Sequence, residues 1–143
     1  MTVSYRFRKF KLESGSYIKR PAVNIILKKE SKSLEMWAIL DSGSDITTIP
    51  RAIADFLELK IEDEESEMMG YKGSGIVRHS KVTIIFKGKM QRIDEVLHNV
   101  PIAVMQDYDG EDGAEVVVGT QGVFEHFKIL FNDSKNVSLT RIV

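Results

Sequence analysis

The sequence predicts an all-β domain. Short apolar, β-branched runs recur between turn residues along the whole chain, and only two brief stretches, after Pro50 and after Thr120, carry helical signals. A chain of 143 residues is the usual size of one domain. It is long enough to bury about two-thirds of its unfolded surface and too short for two full lobes, so a single core over residues 1–143 is expected.

At the N-terminus, Ser4 to Arg8 alternates polar and apolar residues at period two and slips phase at Lys9-Phe10, as an edge strand with a bulge would. Aromatics interleaved with cations here would suit stacking on RNA. Lys and Arg on an edge strand are also the ordinary defence against edge-to-edge pairing, and that reading is preferred. Pro21 to Leu27 is a strand, Lys28 to Ser33 a polar turn, and Leu34 to Leu40 the returning strand. Ile46 to Ile49 is a further strand. Pro50 then opens a short helix with Ile53, Phe56 and Leu57 on one face.

The acidic run Glu62 to Glu67 reads as a solvated loop or strand edge, with a docking patch for a basic partner as its alternative. Met68 to Val77 places three glycines in a hairpin, where they disfavour rigidity and suit movement. The alternating strand Lys81 to Phe86, the apolar run Val96 to Val104 and an acidic, glycine-rich loop from Asp107 to Gly113 follow. That loop lacks the twelfth-position Glu of a helix-loop-helix calcium site. Val116 to Gly119 is a strand, and Thr120 is positioned to cap a helix from Gln121 to His126. Phe127 to Phe131 and Asn136 to Ile142 close the chain around an Asn132-Asp133-Ser134-Lys135 turn.

The most informative stretch is Trp37-Ala38-Ile39-Leu40-Asp41-Ser42-Gly43-Ser44-Asp45. An apolar run such as Trp37 to Leu40 reads as a strand buried on both faces, so Asp41 is expected at the edge of a low-dielectric interior. A carboxylate there is stable only when hydrogen-bonded, paired or protonated. Ser42 and Ser44 offer hydroxyl donors, and Gly43 permits a tight turn that aims N–H groups back at the carboxylate.

Leu40 to Asp45 resembles the Asp-Ser/Thr-Gly-Ala/Ser signature of aspartic proteases. With one such signature, a Gly-rich hairpin and a later Val118-Gly119 segment, the chain from roughly Ile18 to Arg141 is similar to the single-domain retroviral-type proteases, the retropepsins. The resemblance implies a closed or partly open β-barrel with one or two short helices. It also implies peptide hydrolysis by two carboxylates that share one proton. Only one Asp-Ser-Gly is present, so the second carboxylate would come from another chain, in a two-fold homodimer with Asp41 at the axis.

By the same resemblance Ser42 would brace the neighbouring chain's loop, and the Gly43 N–H would donate to the carboxylate. Ser44 and Asp45 would line the substrate cleft, and Gly73-Ser74-Gly75 would form the tip of a flap over bound peptide. Gly119 would let its strand pass close behind the catalytic turn. One departure stands out: Thr120-Gln121 occupies the place where viral members carry an Arg, so the cation that would pair with the acid matching Asp45 is missing. A noncatalytic dimer of the same fold, binding peptides or serving assembly, is the alternative. A peptide-binding β-protein unrelated to proteases is the third.

The composition narrows the remaining classes. The sequence contains no cysteine, which excludes disulfides, thiol chemistry and thiolate metal sites, and a reducing cytosol is the expected compartment. No segment approaches the ~18 apolar residues of a membrane span, and Met1 to Lys11 has no apolar core of a secretory signal. A net charge of −1 gives no global reason to expect nucleic acid or an anionic membrane as partner. His79, His98 and His126 fall in separate elements, so neither a metal nor another cofactor is expected. Dinucleotide, phosphate-loop and serine-hydrolase motifs are absent.

Overall fold

A computed structural model of the chain describes residues 2–70, 73–89, 94–106 and 116–142. Among the described residues the protein is all-β apart from one six-residue helix and a single 3₁₀ turn. Strands β4 (Ala22–Lys29) and β5 (Lys32–Leu40) form the first long hairpin, and Glu30 at its turn takes φ 55°. Strand β6 (Thr47–Pro50) leads into α1 (Arg51–Phe56), and β7 (Glu65–Gly70) pairs with β8 (Gly73–Phe86) as a second hairpin. Then come β9 (Glu95–Met105) and the two-residue β10 (Val117–Val118).

These strands make one sheet in the order β4-β5-β10-β6-β9-β8-β7, and β4 also pairs with β8. That extra pairing, Ile25 to Phe86 through Lys28 to Thr83, closes six of the strands into a barrel. The 14-residue β8 is long enough to serve two neighbours on one edge. Its end pairs with β4, while its start, from Gly73 to Arg78, runs on with β7 as a hairpin.

Strands β1 (Thr2–Arg6), β12 (Asn136–Arg141) and β11 (Phe127–Asn132) form a separate sheet in that order. Val3, Tyr5, Phe127, Val137 and Leu139 from this sheet join the core of Val23, Ile25, Leu27, Ile84, Phe86 and Ile102. Phe86 and Phe127 meet edge to face at 5.4 Å, which welds the two layers with a favoured aromatic geometry. The buried Tyr5 hydroxyl donates to the Lys87 carbonyl at 2.8 Å. Burial, and secondarily the negative charge of Asp94, push its ionisation well above the usual phenol range.

Several local expectations are corrected. The N-terminal run is two strands rather than one bulged edge: after Phe7, β2 (Arg8–Lys11) pairs only with β3 (Tyr17–Arg20), as a hairpin of its own. Pro50 is the cap before α1 rather than its first residue, because its ψ of 151° is extended. Ala54 in this helix and Leu57 at its C-terminal cap are buried, while Phe56 turns outward beside Lys32. The helix expected from Gln121 is only the 3₁₀ turn Phe124–His126, since Gly122 at φ 76° interrupts helical backbone. Pro101 sits inside β9, just past a bulge where His98 and Asn99 oppose Thr83 and Asn99 takes φ 54°. A bulge is one of the few places where a strand tolerates a residue without an N–H.

Candidate active site

The Asp41 turn is held by a two-residue strand inserted between two others. β10 pairs parallel with β5, Val118 against Leu40, and antiparallel with β6, Val117 against Thr48. The Ile39 N–H donates to the Val116 carbonyl and the Asp41 N–H to the Val118 carbonyl, each at 3.0 Å. Leu40 donates on its other side to the Pro21 carbonyl at 2.9 Å. The main chain leading into Asp41 is therefore fixed from both sides up to the residue itself, which sets the direction of its side chain.

Beyond Asp41 the chain turns sharply. The Gly43 N–H donates to Asp41 Oδ1 at 2.9 Å, and the Ser44 N–H to the Asp41 carbonyl at 3.2 Å. The next bonds lock this turn to the segment after β10. Thr120 and Gln121 N–H groups donate to the Ser44 and Asp45 carbonyls at 2.9 Å each, and Thr120 Oγ1 donates to the Asp45 carbonyl at 3.3 Å. The two residues that stand in the arginine's place thus secure the Asp45 backbone instead of pairing with its carboxylate.

The environment of Asp41 differs from expectation. Asp41, Ser42 and Gly43 are exposed, and among the described residues no cation forms an ion pair with Asp41. Strand β5 is not buried on both faces either: Ala38 and Leu40 point into the core, whereas Trp37 is 41% exposed beneath Arg8. The reason is geometric. Alternate residues of a barrel strand face outward, and the strand's end opens at the barrel mouth rather than inside it. Nor does Ser44 serve the carboxylate, since its hydroxyl donates to the Ile46 carbonyl at 2.9 Å and tightens the turn instead.

Sequence reasoning overlooked Thr47. This residue is fully buried, and its Oγ1 accepts from the Gly119 N–H at 3.0 Å, tying β6 to the glycine behind the turn. In an apolar strand a threonine reads as one more β-branched residue, and only the tertiary approach of Gly119 gives its hydroxyl a role. Gly119 itself meets the expectation of close passage. A Cβ there would lie 2.5 Å from the Ile46 carbonyl carbon and 2.8 Å from the Ser44 carbonyl oxygen.

Both obstacles are backbone, so neither can rotate away. We expect Gly119→Ala to destabilise the fold by about 3 kcal/mol or more, at or beyond the upper end of ordinary overpacking. Chemical denaturation of the variant checks this; a midpoint equal to that of the wild type would refute the close-packing argument.

Gly73, Ser74 and Gly75 stand on a different element. They pair with Gly70, Met69 and Met68 along the β7–β8 hairpin, and the connecting Tyr71-Lys72 lie outside the described residues. Ser74 and Gly75, with Glu65, Ser66, Glu67 and Ile76, line a groove of about 540 Å³. Met69 is 76% exposed on the same hairpin, an apolar surface with nothing described packed upon it. The Asp107 to Gly113 loop also lies outside the described residues. Among those that are described, no three His, Asp or Glu side chains converge as metal ligands would.

An exposed carboxylate oriented by a main-chain donor can take a proton from water or hold one against a carbonyl. A single carboxylate cannot do both at once. No family model matches the chain, and no curated protein matches its sequence. Among solved structures the chain is similar to the crystal structure of a retropepsin-like aspartic protease from Rickettsia conorii, with a TM-score of 0.57. The match covers 97% of this chain and 91% of that one at 11% identity, so the likeness is one of fold.

Proposed function

We propose that this protein is an aspartic endopeptidase whose reacting pair is made of two Asp41 side chains, one from each chain of a two-fold homodimer. The observation that carries the reading is the construction of the Asp41 turn. A carboxylate is placed at the open end of a barrel strand, exposed, oriented by the Gly43 N–H and braced from behind by the Val118-Gly119 segment. Such rigidity around an exposed acid is what a catalytic group requires and what a surface turn does not. The whole-chain likeness to a retropepsin-like fold supports it.

In the dimer one Asp41 is ionised and the other protonated. The ionised carboxylate accepts a proton from the attacking water as its oxygen bonds to the peptide carbonyl carbon, and the protonated one donates to the carbonyl oxygen. Collapse of the tetrahedral diol then breaks the C–N bond, with a proton delivered to the leaving amine. Ser42 would contact the partner's turn, while Ser44 and Asp45 flank the peptide. Cleavage of a denatured protein or a peptide library, comparing wild type with Asp41→Asn, tests the proposal directly.

On this reading the β7–β8 hairpin closes over the peptide, and its exposed Met69 and its glycines belong to a surface that is covered only in the complex. Amide exchange from Met68 to Ile76 should then be fast in the free protein and slowed by roughly tenfold or more with a peptide-like inhibitor bound. Equal protection with and without inhibitor would rule out a flap here.

A further inference from the structure

The net charge of −1 conceals a separation of charge. The first twenty residues carry six cations, Arg6, Arg8, Lys9, Lys11, Lys19 and Arg20, against the single acid Glu13, so the rest of the chain is net −6. Most of those cations lie on the β2–β3 hairpin, which pairs with neither of the larger sheets. Its register sets Arg8 opposite Arg20, Lys9 opposite Lys19, Phe10 opposite Ile18 and Lys11 opposite Tyr17.

Opposed residues share a face, so the two faces differ in chemistry. One carries Arg8, Phe10, Ile18 and Arg20. Arg8 reaches the barrel, its guanidinium 4.2 Å above the Trp37 ring, and Arg20 lies 5.4 Å above Phe10 within the hairpin. The other carries Lys9, Lys11, Lys19 and Tyr17, all exposed, Tyr17 at 63%. None of these three lysines forms an ion pair with a described acid.

Both strands of this hairpin are sheet edges, so defence against edge pairing accounts for cations on each. It does not account for Lys9 directly opposite Lys19 and Arg8 opposite Arg20, since like charges so placed weaken the hairpin that bears them. An arrangement that is unfavourable in the free protein becomes favourable when a polyanion lies across it. We propose that this outer face binds single-stranded nucleic acid, with Lys9 and Lys11 on successive phosphates, Lys19 across from Lys9 on the same backbone, and Tyr17, across from Lys11, stacked on a base.

Residues two apart on a strand are roughly 6.5 Å apart, a spacing comparable to that of phosphates along an extended single strand. A lysine ladder beside one exposed ring combines a backbone-tracking charge with a stacking platform. An anionic membrane fits less well, because Phe10 and Ile18, the side chains that could enter an acyl layer, lie on the opposite face from the lysines.

Binding of a fluorescently labelled oligouridylate to the full chain, followed by anisotropy over a salt series, tests the proposal. Three phosphate contacts give a log–log salt slope of about −2 for a single strand, at about −0.7 per contact. Lys9→Gln with Lys19→Gln should reduce the slope to about −0.7. Tyr17→Ala should weaken binding about tenfold and leave the slope unchanged, and Asp41→Asn should bind as wild type does. Absence of binding at low salt, or equal binding by the double-lysine variant, overturns the proposal. So does binding of poly-glutamate or phosphatidylserine vesicles as tight as that of the oligonucleotide with no loss in Tyr17→Ala, since either would mark the face as a docking site for another anion.

Discussion

Asp41→Asn should abolish peptide hydrolysis while leaving a folded protein, a loss of about 10⁴-fold or more in turnover. A single positioned acid or base contributes roughly 10²–10⁴-fold, and in the proposed pair this one position supplies both roles. The substitution keeps shape and the key structural bond. The asparagine Oδ1 can still accept from the Gly43 N–H, which lies 2.9 Å from the carboxylate oxygen. Neither the Thr120 and Gln121 bonds nor the Gly119 contact with Thr47 involves the side chain that changes.

An amide, however, neither takes the proton of water nor shares one with a facing carboxylate. The measurement is product formation from a peptide library between acidic and neutral pH, with folding of the variant checked by its denaturation midpoint. Undiminished cleavage by pure Asn variant would sink the assignment and direct attention to Asp45. Absence of cleavage by the wild type, with peptide binding retained, would favour the noncatalytic module instead.

Much of this site could be read from sequence because it rests on local chemistry. The Gly43 N–H aimed at its neighbour's carboxylate follows from a small residue two positions after an Asp, and the hairpin delivering Asp41 follows from the polar turn between two apolar runs. Gly119 was legible for a related reason, as a glycine ending an apolar strand. What escaped was tertiary. The solvent exposure of Asp41 depends on where β5 ends relative to the barrel mouth, and the exposure of Trp37 depends on which face the closed sheet turns outward. No window of residues contains either fact. The structural work of Thr47 and of the Thr120-Gln121 bonds likewise exists only once β10 lies between β5 and β6. The N-terminal run was misread because period-two alternation identifies strands but not their partners. Cations that resemble edge protection in one dimension prove to stand opposite one another across a hairpin.

Activity should belong to the dimer alone. One chain presents one Asp41, exposed and without an ionic partner among the described residues, and in the proposed mechanism the second reacting group arrives with a second copy. The chain also has surface suited to that arrival. β11 is an edge of the three-stranded sheet and carries Leu130 and Phe131, 62% and 42% exposed, with Ile142 exposed next to it in sequence after β12. An open edge bearing large apolar side chains is a template for pairing with another chain.

Below the dimer dissociation constant, rate should therefore rise with the square of protein concentration and become linear once dimers saturate, because activity follows the mass action of assembly. Leu130→Asp should shift that transition to higher concentration, without altering turnover at saturation, if the edge contributes to assembly. Adding a large excess of Asp41→Asn chains should suppress wild-type activity several-fold once subunits exchange, because a mixed pair holds one ionisable partner. A protein that sediments as a monomer at the assay concentration, yet keeps full activity per chain on dilution, would refute the shared pair. Both carboxylates would then have to come from one chain, and Asp45, held by its backbone to Thr120 and Gln121 beside the same turn, would be the first to replace.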